Sequence, residues 1–351
     1  MKTKPFSPLP LDLWPKQDRA AWLLATQPGD VFSKPGVASK WRPATIRLAE
    51  EGYGLYLAWA QANGPLSPDG LPIDRVNEER VSAFIADYAV GRAELTVATT
   101  VRGVAYVLRA THPPEGLSWL TKFVHRLMNS AKPAKSKADR MATVAELIDL
   151  GVSLMKRGRD DLEKGHCSGA QCFRDGLMIA ALAMRPLRRR NFAALQIGKT
   201  FLPDCEHYRV SFKGKETKTG RGIEFDYPPS VSAPFAFYLS EARPVLLKRS
   251  NTPDDGFLWV GRRGRAMDGE EITQRIGNVT RRQLGRRVSP HLFRDCVATD
   301  IAIHDPKHIG IVKSVLGHAT LASSQKYYNQ ATSFEAARRH QSIIAALRGA
   351  T

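Results

Sequence analysis

Long apolar runs are missing from this chain. No stretch of roughly 18 consecutive apolar residues occurs, so the sequence carries no signal for a helical membrane span. The first 18 residues lack the apolar segment and small-residue site of a secretory leader, and a cytoplasmic location is expected. Cysteine is scarce. The four present, Cys167, Cys172, Cys205 and Cys296, are scattered, which argues against a disulfide framework. His166, Cys167 and Cys172 lie close together, but no second ligand pair follows at zinc spacing, so no metal is expected there. Acidic clusters are lacking too. Asp254 and Asp255 sit in a proline-bearing loop that reads as a turn, and nothing resembles the paired carboxylates that hold a catalytic divalent cation.

Acidic charge as a whole is in deficit. Lys and Arg number 52 against 34 Asp and Glu, a net charge of +18. Such an excess points to a polyanionic partner, most often nucleic acid. The basic residues are clustered: RPLRRR at 185–190, FKGKETKTGR at 212–221, GRRGR at 261–265 and TRRQLGRR at 280–287. Each cluster lies in or beside a segment with apolar positions, unlike a disordered basic tail.

Residues 1–40 are proline-rich with little periodicity and read as an irregular arm. Four helical patterns follow within residues 41–131, at 43–63, 77–90, 96–112 and 117–131. The stretch 132–140 is basic, apolar-poor and reads as a linker. Residues 141–351 begin with two helical segments. YRVSF and GIEFDY then alternate around the basic connection, predicting a hairpin or small sheet, and the remainder returns to helix. The expected fold is therefore mainly α with a small antiparallel β-sheet.

A basic protein of this kind can be asked whether it acts on a phosphodiester. That chemistry needs cations on the nonbridging oxygens, an in-line nucleophile and a proton for the leaving oxygen. Without acidic metal ligands, an arginine-based site is the economical choice. Three segments supply suitable groups. In PLRRRNFAAL, residues 186–195, a helix opening after Pro186 carries Phe192 and Leu195 inward and leaves one arginine at its start able to face a pocket. In SPHLFRDCVATDIAI, residues 289–303, Ser289 and Pro290 make a helix start, cap then proline. His291 and Arg294 then share a helix face at i and i+3. In SVLGHATLASSQKYYNQ, residues 314–330, a helix ends at Gly317, His318 enters the next segment, and Tyr327 and Tyr328 follow.

PLRRRNFAAL, HLFR, LGH and a tyrosine nine residues beyond that histidine resemble the boxes of the tyrosine recombinase (phage integrase) family, in order. The likeness extends over residues 42–345, with the specific motifs from Arg188 onward. It implies a helical core-binding domain at 41–131 and a catalytic domain at 141–351 ending in a C-terminal helix. Matching the family spacing onto Leu187 and Leu195 makes Arg188 the first catalytic arginine. The others implied are His291, Arg294, His318 and the nucleophile Tyr327. The family's hairpin lysine is most similar to Lys218, with Lys213 and Lys215 next in line. Arg189, Lys213, Lys215, Arg281 and Arg282 are expected to contact DNA. Three departures stand out: Asn191 where an acid is usual, Asp295 where histidine often follows the second arginine, and Ser323–Ser324 where two threonines are common.

The implied activity is site-specific recombination of duplex DNA through a 3′-phosphotyrosine, without metal, ATP or other cofactor, in the nucleoid-associated cytoplasm. A non-catalytic DNA-binding relative and a type IB topoisomerase-like strand transferase are the competing readings. The tail at 333–349 carries Phe334, Ile343, Ile344 and Leu347 as an amphipathic helix. The resemblance implies that it packs on a neighbouring subunit in a dimer or tetramer on DNA; packing on its own domain is the alternative.

Overall fold

The computed structural model describes residues 7–132, 137–204, 207–217 and 220–305. The chain divides into two compact units between Ser136 and Lys137.

The first unit contains five α-helices among its described residues: α1 (Lys16–Thr26), α2 (Pro43–Ala62), α3 (Glu78–Tyr88), α4 (Glu94–Thr111) and α5 (Ser118–Ser130). Helix α3 starts where the side chain of Asn77 accepts from the Arg80 amide, with Glu78 and Glu79 at the positive end of the dipole. It buries Val81, Phe84 and Tyr88, one helical stripe. Helix α4 buries Val97, Val101, Val104 and Leu108 in the same manner. The core is aromatic, built on Trp14, Trp22, Tyr53, Tyr56, Trp59, Phe84 and Tyr88.

Two expectations change here. Residues 1–40 do not form an irregular arm where they are described, because α1 is a helix and Trp14, Trp22, Ala25 and Ala38 lie in the core. The prolines flank the helix rather than break it: Pro15 is its N-cap, where a missing N–H costs nothing. Among its described residues the unit therefore has α1 in addition to the four helices expected within 41–131. The linker expected at 132–140 also shortens. Lys137–Arg140 fall in the second unit, with a 3₁₀ turn at Ala138–Arg140.

The second unit opens with α6 (Val144–Glu163) and α7 (Gly169–Met184). A capping box starts α6: the Thr143 hydroxyl accepts from the Glu146 amide at 3.1 Å, and Glu146 accepts from the Thr143 amide at 2.8 Å. The two helices touch backbone to backbone. A Cβ on Gly176 would lie 2.5 Å from the Gly151 carbonyl oxygen, and one on Gly158 would lie 2.4 Å from the Phe173 nitrogen. We predict that Gly176→Ala destabilises this unit by about 1–3 kcal/mol, because neither backbone can yield. Urea unfolding checks this, and an unchanged midpoint would show that the helices separate easily.

The short helix α8 (Arg189–Ala193) leads into β1 (Phe201–Asp204), β2 (His207–Phe212) and β3 (Ile223–Asp226), an antiparallel sheet in the order β1-β2-β3. Phe201 pairs with Val210, and Val210 with Phe225. Phe201, Val210 and Phe212 face the core. Strand β1 escapes a reading by alternation because it contains Pro203, which an edge strand tolerates. Helices α9 (Pro229–Phe237) and α10 (Arg243–Leu247) flank a π-helical turn at Tyr238–Ala242. Then come α11 (Gly269–Leu284) and α12 (Pro290–His304). Asp268 caps α11 by accepting from the Glu270 and Glu271 amides, and Gly285 ends it at φ +69°.

Candidate active site

The first box surrounds α8. Leu187, Phe192 and Leu195 are buried, and Phe192 packs on Trp259 with ring centroids 4.9 Å apart. This apolar grip on both sides leaves Arg188 at the N-cap, in extended conformation and half-buried. Burial pulls the Arg188 pKa below its ordinary value, though a guanidinium in a protein still stays charged. The other arginines of the run are placed differently. Arg185 lies over the Phe225 ring at 5.5 Å, Arg189 pairs with Glu270 at 2.8 Å, and Arg190 is exposed.

The second box is the first turn of α12. Ser289 stands at the N-cap and Pro290 at the first helical position, as expected, but the serine side chain makes no capping hydrogen bond. His291 is exposed, whereas Arg294 is buried at 7% exposure. Arg294 Nη1 donates to the Pro186 carbonyl at 2.6 Å, a contact between residues 108 apart in the chain. The second arginine therefore grips the backbone two residues before the first. Asn191 is also buried, and its Nδ2 has no hydrogen-bond partner among the described residues.

The basic positions lie outward. Lys213 and Lys215 are exposed on the β2–β3 connection, which is folded into a 3₁₀ turn at Gly214–Glu216. The Lys213 amide donates to Glu216 at 2.7 Å, and the Thr217 hydroxyl donates to the Arg221 carbonyl at 2.7 Å. Arg281 and Arg282 are exposed in the last turn of α11. The Arg189–Glu270 pair is more than half exposed on both sides, so it contributes little stability. Lys218, His318, Tyr327 and the C-terminal helix lie outside the described residues.

One supporting network escapes a reading of the sequence. Arg174 and Asp175 are both buried in α7. Arg174 donates to Asp175 at 2.6 Å and to the Val260 carbonyl at 2.7 Å, and Arg275 of α11 donates to Asp175 at 2.6 Å. The network ties α7 and α11 to the segment just before the basic turn at 261–265. Its only signal in the sequence is a charged pair beside the apolar run GLMIAALAM.

No family model matches the chain. Over 93 residues, 25% of the chain, it is 32% identical to the tyrosine recombinase XerC of Azotobacter vinelandii, covering 31% of that protein. Over 157 residues, 44% of the chain, it is 27% identical to the tyrosine recombinase XerD of Chlamydia pneumoniae, covering 48% of that protein. The fold is similar to that of the XerH site-specific recombinase solved with its difH substrate before cleavage, with TM-score 0.54 and 13% identity over 91% of this chain and 96% of that one. In the post-cleavage complex of XerH the TM-score is 0.52, with 16% identity over 81% of this chain and 75% of that one.

Part of the chain is thus similar in sequence to tyrosine recombinases, and its fold is similar to theirs.

Its match spans less than half the length of either of these two curated relatives, and its likeness to XerH is one of fold. The segments expected to be the first and second boxes are where the described residues of this chain converge. They meet through the Arg294–Pro186 contact.

Proposed function

We propose that this chain is a site-specific DNA strand transferase acting in the nucleoid-associated cytoplasm. The observation that carries the reading is the hydrogen bond from Arg294 to the Pro186 carbonyl, which draws together two arginine segments 108 residues apart. Two guanidiniums, planar and permanently charged, suit the two nonbridging oxygens of one phosphodiester.

In this reading the Tyr327 hydroxyl attacks phosphorus. A free phenol has a pKa of about 10, so the proton leaves as the bond to phosphorus forms. Arg188 and Arg294 balance the charge that develops on the nonbridging oxygens. His291 serves as proton acceptor and His318 donates to the phosphate. The bond to the 5′-oxygen breaks, and Lys218 protonates that oxygen. The products are a 3′-phosphotyrosine and a free 5′-hydroxyl. The phosphoester bond energy is kept, so a 5′-hydroxyl from another strand reverses the step without ATP. Arg189, Lys213, Lys215, Arg281 and Arg282 hold the duplex by its phosphates. The weak Arg189–Glu270 pair is readily exchanged for such a contact. The tail at 333–349 joins subunits on DNA.

The test uses a nicked suicide duplex carrying the recombination site of the host element. Wild type and Tyr328→Phe are expected to form an SDS-resistant protein–DNA adduct, equally well in EDTA, and Tyr327→Phe none. An adduct kept by Tyr327→Phe but lost in Tyr328→Phe moves the nucleophile by one residue. Tight binding with no adduct from any form favours a non-catalytic DNA-binding protein.

A further inference from the structure

The start of the second unit is fastened along the helix that carries His291 and Arg294. Lys137 Nζ lies 3.0 Å from Asp295 Oδ2. Ala142 is buried in the same core as Cys296, and the Ala142 backbone favours the Cys296 thiolate against the effect of burial. Glu146 pairs with Arg286, just before α12. Burial, the leading cause, pushes the Cys296 thiol up to about 11, so it is an inert packing group at neutral pH. Three successive points of residues 137–146 therefore touch the α12 side of the unit.

Asp295 directly follows Arg294 and is 5% exposed. A carboxylate buried to that degree needs compensating charge, which Lys137 supplies from a half-exposed position. Consecutive helical residues project about 100° apart. Arg294 turns toward Pro186 while Asp295 turns toward Lys137. Two polar grips in different directions fix the roll of α12 about its axis, and the guanidinium of Arg294 moves with that roll.

We propose that Asp295, held by Lys137, is a positioning residue for Arg294, so that the first residue after the division between the units sets the geometry of the phosphate clamp. The inference rests on the reading of Arg294 given above. It also gives a role to the residue at which this chain departs from the Arg-His that often continues the second box. A displacement of about 1 Å at a reacting centre slows chemistry by up to about a hundredfold without touching substrate affinity.

The experiment compares wild type, Lys137→Ala and Lys137→Arg in the full-length chain. Lys137 is half exposed, so Lys137→Ala opens no cavity, and a melting-temperature check on each variant reads the cost of leaving Asp295 without that charge. The readouts are single-turnover cleavage of the suicide duplex, DNA affinity, and thiol labelling of Cys296 in a background with Cys167→Ser, Cys172→Ser and Cys205→Ser. Lys137→Ala is expected to slow cleavage about tenfold or more with affinity within about twofold. It should also speed Cys296 labelling about fivefold, as the clasp opens. Lys137→Arg is expected to restore both. An unchanged cleavage rate in Lys137→Ala beside an active wild type overturns the positioning role. So does a loss of affinity matching the loss of rate, which would make Lys137 a phosphate contact. A wild type that forms no adduct overturns the reaction itself, and the labelling result then reports on the clasp alone.

Discussion

Arg294→Ala is expected to lower single-turnover strand cleavage by about 10²–10³-fold, the usual loss when one preorganised donor to a developing charge is removed. DNA affinity should change little, because many exposed lysines and arginines supply that affinity. Two features make Arg294 the most sensitive of the described positions. It is buried, so its charge acts in a medium that screens it weakly. Its Nη1 also spends a hydrogen bond on the Pro186 carbonyl, which aims the rest of the fork. A lysine is a point charge without that fork, so Arg294→Lys should recover only a small part of the rate. Arg189→Ala serves as the control. Its side chain is exposed and, among the described residues, pairs with exposed Glu270, so cleavage at saturating DNA should stay within about threefold of wild type. Equal rates for Arg294→Ala and wild type would remove Arg294 from the chemistry. A melting-temperature check separates chemistry from the cost of an unpaired Pro186 carbonyl, about 1–3 kcal/mol.

The second large effect concerns stability. Asp18→Ala should destabilise the first unit by about 3–5 kcal/mol, because it strips one partner from a buried ion pair. Asp18 is fully buried and lies 2.9 Å from Arg75 Nε, which is itself 4% exposed. The Tyr53 hydroxyl donates to Asp18 at 2.5 Å. Burial, reinforced by the Asp18 charge, raises the Tyr53 pKa well above its ordinary value, so the phenol stays a donor. Arg75 Nη2 also donates to the carbonyls of Ser67 at 2.7 Å and Gly70 at 2.8 Å. Removing Asp18 leaves that guanidinium uncompensated at the centre of the unit, and truncating residues 1–40 should do at least as much. Urea unfolding followed by tryptophan fluorescence reads this unit well. Of the six tryptophans, Trp14, Trp22, Trp41, Trp59 and Trp119 lie within it. A loss below about 1 kcal/mol would show that water reaches Arg75 and compensates the charge.

Much of this was legible without coordinates, wherever the information is local. The stripe Val81, Phe84 and Tyr88 announces α3, and Asn77 before Glu78 and Glu79 announces its start. Phe192 and Leu195 are expected inward of the arginine run, and both are buried, Phe192 on α8 and Leu195 just beyond it. The boxes proposed to be catalytic are short spacings within one or two helical turns, so they survive as text even at low overall identity. The same holds for Lys218, His318 and Tyr327, which lie outside the described residues and rest on spacing alone.

What escaped the sequence is long-range. Helix α1 hid among prolines, and Pro203 masked β1. Arg174 and Asp175 carry no signal of their burial in the sequence, and the fold sets them against Arg275 and the Val260 carbonyl. Lys137 read as linker until it met Asp295. The sequence by itself determined most of the described helices, the β2–β3 hairpin and the order of the chemical groups, because hydrophobic periodicity and backbone capping act over a few residues. The tertiary structure decided which charges are buried, what compensates them and which backbone carbonyl Arg294 holds. Those choices follow from the high cost of leaving a desolvated charge unpaired, and its partner can come from any distance along the chain.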